Sequence, residues 1–179
     1  IQASSVMNAS QDITVADPGG IELTVPHNVA TESAANANAN TQNQAALEAQ
    51  FVDDNGDALG INAEGISFTK QTGNAAELNQ SLQDFTKQTG SNGNVTIDVN
   101  GTSTTGTTTF IAVADNYSVQ GSATVTTTGA SDSVAVSAAD DTVAQNEETT
   151  VTAEFTDSEG RNVPRTSTSI QLSAGDGTV

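Results

Sequence analysis

The chain has 179 residues and a formal charge of −18 at pH 7, from 22 acidic and 4 basic side chains, with one His and no Cys. That length accommodates one large domain or two small ones. The charge excludes a protein that tracks nucleic-acid phosphates, and the missing Cys excludes a disulfide framework, a thiolate metal centre and a Cys nucleophile.

No apolar run approaches the roughly 20 residues that span a bilayer, so membrane insertion of this segment is not expected. The opening Ile1-Gln2-Ala3-Ser4-Ser5 has neither the basic nor the apolar region of a signal peptide, which is expected to be absent or already removed. The 27 Thr residues favour strands, because a β-branched side chain fits an extended backbone.

Residues 1–18, with Ile13 and Val15 alternating ahead of Pro18-Gly19-Gly20, read as an N-terminal attachment segment able to donate a strand to a neighbour. Ile21, Leu23 and Val25 then alternate with Glu22 and Thr24 until Pro26 ends the run. Asn36 to Asn40 is a low-complexity loop. Leu47, Ala49 and Phe51 alternate in a half-buried strand, and Asp53-Asp54-Asn55-Gly56-Asp57 is turn chemistry. Ile66 and Phe68 alternate again before Gln71-Thr72-Gly73. Leu78, Leu82 and Phe85 lie at helical spacing, with Asn74 as N-cap and Glu77 three residues on, which predicts a short helix inserted at 75–87. The hexapeptide Phe68–Gly73 recurs as Phe85–Gly90, read as a local duplication.

Val95, Ile97 and Val99 make the next strand, closed by Asn100-Gly101. Thr107–Ala114 is apolar on both faces late in its length, as expected of a central strand. Val119, Gly121, Ala123 and Val125 alternate after it. Short strands punctuated by Gly and Asn predict an all-β sandwich. Leu47, Phe51, Phe68, Ile97, Phe110 and Val125 are its expected core.

A long-range repeat organises the chain. Ala49–Leu59 aligns without a gap with Ala153–Val163, at an offset of 104 residues. The same offset carries Leu47 onto Val151, Ile66 onto Ile170, Phe68 onto Leu172 and Gly73 onto Gly177. A period near 100 residues is that of an array of immunoglobulin-like sandwiches. The expected division is an attachment segment at 1–18, one sandwich at 19–129, and the first half of a second at 130–179. Counterparts of the later strands would fall past Val179, so a longer protein with a completed second sandwich is expected.

The pattern Ala-x-Phe-x-Asp-x-x-Gly-x-x-(Leu/Val), followed by Thr89–Ile97 and by Gly106–Ala112, resembles the bacterial immunoglobulin-like domains of invasin and intimin. The resemblance spans about residues 20–128, and 131–179 as a first half; the long Asn/Ala loop and the helix at 75–87 depart from it. It implies tandem rods on a surface outside a cell or on a virion, and no catalytic residue. The acidic, lysine-poor composition is similar to that of proteins from extreme halophiles, here haloarchaea or their viruses. Unscreened, a charge of −18 opposes compaction, and strong salt relieves it.

Sites of chemistry are few. His27 follows Pro26 at a strand end, with no nucleophile motif to serve, and reads as an exposed loop residue. Asp53, Asn55, Asp57 and Glu64 occupy positions one, three, five and twelve of a calcium-loop count. The Gly required at position six is Ala58, and Arg161 replaces the ligand at Asp57 in the repeat. A plain turn is therefore preferred to a calcium site, and no cofactor is expected. Asp140-Asp141 and Glu147-Glu148 read as solvated acids rather than glycosidase carboxylates. Asn8, Asn79, Asn94, Asn100 and Asn116 head Asn-x-Ser/Thr glycosylation triplets, a number that chance supplies in a chain this rich in Asn, Ser and Thr.

The expected function is non-enzymatic: a structural or adhesive extracellular protein, as stalk, spike, fibre or virion decoration. The alternative is a filament or surface-layer subunit that polymerises by strand exchange. Expected partners are further copies or assembly neighbours through residues 1–18, and a cell-surface receptor or glycan, with no nucleic acid.

Overall fold

The computed structural model describes residues 17–32, 43–79 and 84–164. Eleven strands run in chain order: β1 Gly20–Thr24, β2 Val29–Ala30, β3 Gln44–Val52, β4 Gly65–Thr72, β5 Ala76–Leu78, β6 Asp84–Gln88, β7 Asn94–Gly101, β8 Gly106–Ala114, β9 Gln120–Thr128, β10 Ser133–Ala138 and β11 Val151–Thr156. The first nine form two sheets, ordered β1-β3-β7-β5 and β2-β9-β8-β4-β6, and among the described residues the last two pair only with each other.

Period-two alternation builds the sandwich, because one face of each strand must leave water. In the first sheet Ile21 pairs with Phe51 and Leu23 with Ala49, while Leu47 pairs with Ile97 and Ala49 with Val95. In the second, Phe68 pairs with Ala112 and Ile66 with Ala114, and Phe110 pairs with Ala123. The inner faces share one apolar core. Leu47, Phe51, Phe68, Phe110 and Val125 are fully buried and Ile97 nearly so, as their alternation predicts.

In immunoglobulin lettering β1, β3 and β7 take places A, B and E, and β9, β8 and β4 take G, F and C. At Pro26–Asn28 the chain leaves the first sheet, and β2 joins the second by pairing in parallel with β9. Two residues of strand were invisible in the sequence, because Val29 and Ala30 are too short a run to show a period.

No helix occupies the described part of 75–87. Ala76–Leu78 pairs with β7, Leu78 facing Val99, whereas Asp84–Gln88 pairs with β4, Phe85 facing Phe68. Leu78 and Phe85 both pack against the core, but from opposite sheets. Spacing of three and four thus arose from a chain crossing between sheets. The duplicated hexapeptides face each other across the β4–β6 ladder through their Phe residues.

The strand at 106–114 is central in its sheet, flanked by β4 and β9. Its outer face is nonetheless wet, with Val113 39% exposed while Phe110 and Ala112 are at 0%. The central position agrees with the sequence reading, but the apolar outer face is solvated: nothing among the described residues layers over that side, and an antiparallel sheet tolerates one solvated face.

Buried Thr residues satisfy the short edge strands. Thr108 Oγ1 accepts the Ala76 N–H at 2.8 Å, Thr127 donates its hydroxyl to the Ala75 carbonyl at 2.6 Å, and Thr128 donates to the Val29 carbonyl at 3.3 Å. Each buried hydroxyl is thereby itself paired against backbone at a strand edge, as burial requires.

Candidate functional site

The two copies of the Asp-x-x-Gly turn share one hydrogen-bond pattern. After β3, Asp53 N–H donates to the Asp57 carbonyl and Gly56 N–H to the Asp53 carbonyl; after β11, Asp157 N–H donates to the Arg161 carbonyl and Gly160 N–H to the Asp157 carbonyl. The Asp53 carboxylate accepts N–H groups of Asn55 and Asp57, both at 2.9 Å. Asp157 accepts those of Glu159 at 3.0 Å and Arg161 at 2.9 Å. Leu59 N–H returns to the Phe51 carbonyl, and Val163 N–H to that of Phe155. Gly56 and Gly160 have φ of +86° and +77°, the left-handed conformation that glycine adopts without a Cβ clash. Every one of these bonds moves by 104 residues between copies.

The surroundings of the two turns differ. Asp53 is half-buried. The N–H of Asp57 holds its carboxyl below the usual value; desolvation opposes this, and the Asn55 backbone and side-chain N–H groups and the Gly56 N–H add to the lowering. Asp157 is 4% exposed. Its Oδ2 accepts the Gly129 N–H, at the end of the strand run that closes the sandwich, at 3.0 Å, and the Arg161 guanidinium at 3.1 Å. Burial opposes its ionisation, but the N–H groups of Arg161 and Gly129 and the Arg161 charge outweigh burial and hold the carboxyl below its ordinary value. The stability this group contributes is present above the ordinary carboxylate pKa and is lost as pH falls through its lowered one. Arg161 also pairs with Glu159. Beside this turn, the Asn28 side-chain amide donates to the Asn162 carbonyl at 3.0 Å. His27, Asn28, Asn162, Val163 and Pro164 line a shallow recess there.

The remaining sequence candidates are scattered. Glu64 is buried, and its two oxygens accept the backbone and side-chain N–H groups of Asn116 at 2.8 and 2.9 Å. This ties the β3–β4 connection to the β8–β9 hairpin, where Tyr117 meets Phe51 edge to face at 5.8 Å. Asp53, Asn55, Asp57 and Glu64 therefore do not converge, and among the described residues no three His, Cys, Asp or Glu side chains gather as a metal-holding group.

Asn79, Asn94 and Asn116 are exposed, and Asn100 is half-buried with its Oδ1 lacking a hydrogen-bond partner. Asn8, with residues 1–16 of the attachment segment at 1–18, lies outside the described residues, as do Ile170 and Leu172. His27 Nδ1 bonds to the Asn28 carbonyl at 2.8 Å on the surface. Asp140, on the surface, bonds through its N–H and its carboxylate to the Thr149 hydroxyl. Sequence reasoning missed Gly129 and Asn28 as partners of the second turn. The available signal was the change from Asp57 to Arg161, which places a cation beside a repeated carboxylate.

A second feature is the face of the β10–β11 pair. Val134 faces Phe155 and Val136 faces Ala153, reproducing the Ile21–Phe51 and Leu23–Ala49 pairs of β1 and β3. Val134, Val136 and Val151 are 50%, 54% and 44% exposed, whereas Ile21, Leu23 and Leu47 are at 6%, 8% and 0%. Sheet two covers the first set; among the described residues no second sheet covers the other.

No helix among the described residues is long and apolar enough to cross a membrane. No protein-family model matches the chain, and no curated protein matches it. Solved structures similar in fold include a β-glucuronidase of Parabacteroides merdae, 12% identical over 65% of this chain and 13% of that one, with a TM-score of 0.45. A glycosyl hydrolase family 2 member from Bacteroides cellulosilyticus is 12% identical over 62% and 14%, with a TM-score of 0.47. Domains 4–9 of the surface layer protein SbsC are 14% identical over 83% and 22%, with a TM-score of 0.41. The chain spans less than a quarter of each of these chains. The likeness is one of β-sheet architecture and gives no residue of this chain a role.

Proposed function

We propose that the protein is a non-enzymatic structural or adhesive component of an extracellular surface, a stalk, spike, fibre or virion decoration built of tandem immunoglobulin-like sandwiches. The observation that carries this reading is the second turn, Asp157–Val163, which repeats the first bond for bond at the end of a completed sandwich. Repetition of a whole structural unit along a chain serves reach and spacing. The division at 19–129 and 130–179, with residues 1–18 attaching to neighbours or a platform, belongs to the same proposal. A receptor or glycan is the expected ligand of an adhesive form. The alternative is a filament or surface-layer subunit, favoured by the β10–β11 pair, which no other described strand joins and whose edges would accept a strand from a neighbour. Cryo-microscopy of the native assembly separates the two: a point-group ring supports the spike or decoration, an open helix supports the filament. Isolated monomers with a turnover activity would overturn both.

The setting proposed is concentrated salt, in haloarchaea or their viruses. With 22 acidic against 4 basic residues, self-repulsion is the term that salt removes, and a Debye length of about 3 Å at 1 M confines it to neighbouring charges. The melting temperature is expected to rise from dilute buffer to molar potassium chloride. A flat or falling curve counts against a halophilic source.

A further inference from the structure

Two copies of one turn, with the same backbone, are used differently within this molecule. Among the described residues the Asp53 carboxylate bonds within its own turn, to Asn55 and Asp57. The Asp157 carboxylate serves its turn and also reaches the preceding sandwich, through the Gly129 N–H at 3.0 Å, while the Arg161 guanidinium at 3.1 Å balances its charge. A second bond between the same two parts, from the Asn28 amide to the Asn162 carbonyl at 3.0 Å, fixes rotation about the first. Val163, equivalent to Leu59, is buried at 7% in the same place.

We propose that Asp157 is a positioning residue, the pin of a fixed joint that holds the β10–β11 unit at one orientation to the sandwich at 20–128. An ionised carboxylate nearly removed from water holds its geometry firmly, since each of its bonds is charge-assisted and breaking one strands the charge. The residue four places after the turn Asp decides the use of the turn. Arg at 161 allows the carboxylate to be buried against a neighbouring unit, whereas the equivalent carboxylate, with Asp at 57 in place of the cation, stays half-buried. The inference rests on the tandem reading and adds stiffness to it: a rod with pinned joints projects its far end, where a rod with free linkers would fold back.

The absence of Cys permits a direct test on the full 179-residue chain. Spin labels at Ser122→Cys and Thr152→Cys, both exposed positions, report the distance distribution between the two parts by double electron–electron resonance. A narrow distribution is expected for the parent. Asp157→Asn and Gly129→Pro, which remove the charge and the N–H donor, should each broaden it several-fold while the melting transition of the sandwich stays in place. Asp53→Asn and Gly129→Ala should leave the width unchanged. A broad distribution in the parent, a narrow one in both joint variants, or equal broadening by Asp53→Asn and Asp157→Asn would overturn the pin. If Asp157→Asn unfolds the unit, Gly129→Pro judged against Gly129→Ala carries the decision. A flexible joint would leave the tandem surface reading standing, since imaging of the assembly tests that separately.

Discussion

Replacing Phe110 with alanine is expected to destabilise the sandwich by about 3–5 kcal/mol, the usual cost of deleting a buried aromatic ring. Phe110 sits on β8, flanked by β4 and β9, with no exposed surface, in the core that also holds Phe51 and Phe68. A sheet pinned on both sides cannot close over the vacated volume, so cavity and transfer costs add. The melting temperature should fall by about 10 °C or more. Val113→Ala on the same strand is the control. Its side chain is 39% exposed on the outer face, and its loss should cost under about 1 kcal/mol. The two positions differ by an odd number of residues, so the pair of values reads the facing of the strand directly. Comparable losses at both would mean that β8 is covered on two sides, as its apolar composition alone suggests.

That contrast marks where the sequence was legible and where it was not. Period-two alternation around Leu47, Phe51, Phe68 and Ile97 announced both the strands and their inward faces, since burial on one side is the only force acting on such a pattern. Ile111 and Val113 carry apolar residues on a solvated face, and no local pattern distinguishes that from a covered one. The segment at 75–87 failed for a related reason. Leu78 and Phe85 both seek the core, but their spacing records a crossing between sheets, so a period was read where two separate strands met. Of the site, the repeated turn was plain in the sequence because Asp, Gly and the apolar residues keep register at 104. Its second use was not, because Gly129 lies 28 residues before Asp157 and gives only a backbone N–H. The calcium-loop spacing, already ranked below a plain turn in the sequence, could not show that Glu64 turns to Asn116, a partner 52 residues away.

The second large effect concerns self-association through the β10–β11 pair. Val134, Val136 and Val151 leave about half of their surface in water, where the same positions of the first sandwich lie under a second sheet. Covering three half-exposed valines is worth roughly 2 kcal/mol per chain at the usual transfer coefficient, and twice that in a symmetric pair. The orientational cost of association is at least about 4 kcal/mol, so side-chain burial alone only balances it. Backbone pairing along edges that no further described strand occupies then tips the balance, and in dilute buffer the charge of −18 on each copy opposes it. The expected result is weak association of the 179-residue chain that strengthens with salt, visible as a rising sedimentation coefficient with concentration at molar potassium chloride. Val134→Asp with Val136→Asp should abolish it, because each new carboxylate would have to be desolvated, while the melting of the sandwich stays where it was. Val113→Asp, a charge added to the other wet face, should leave association intact. A chain that stays monomeric at every salt and protein concentration would show that this face is not adhesive. Loss of association in the Val113 variant instead would move the contact to the outer side of β8.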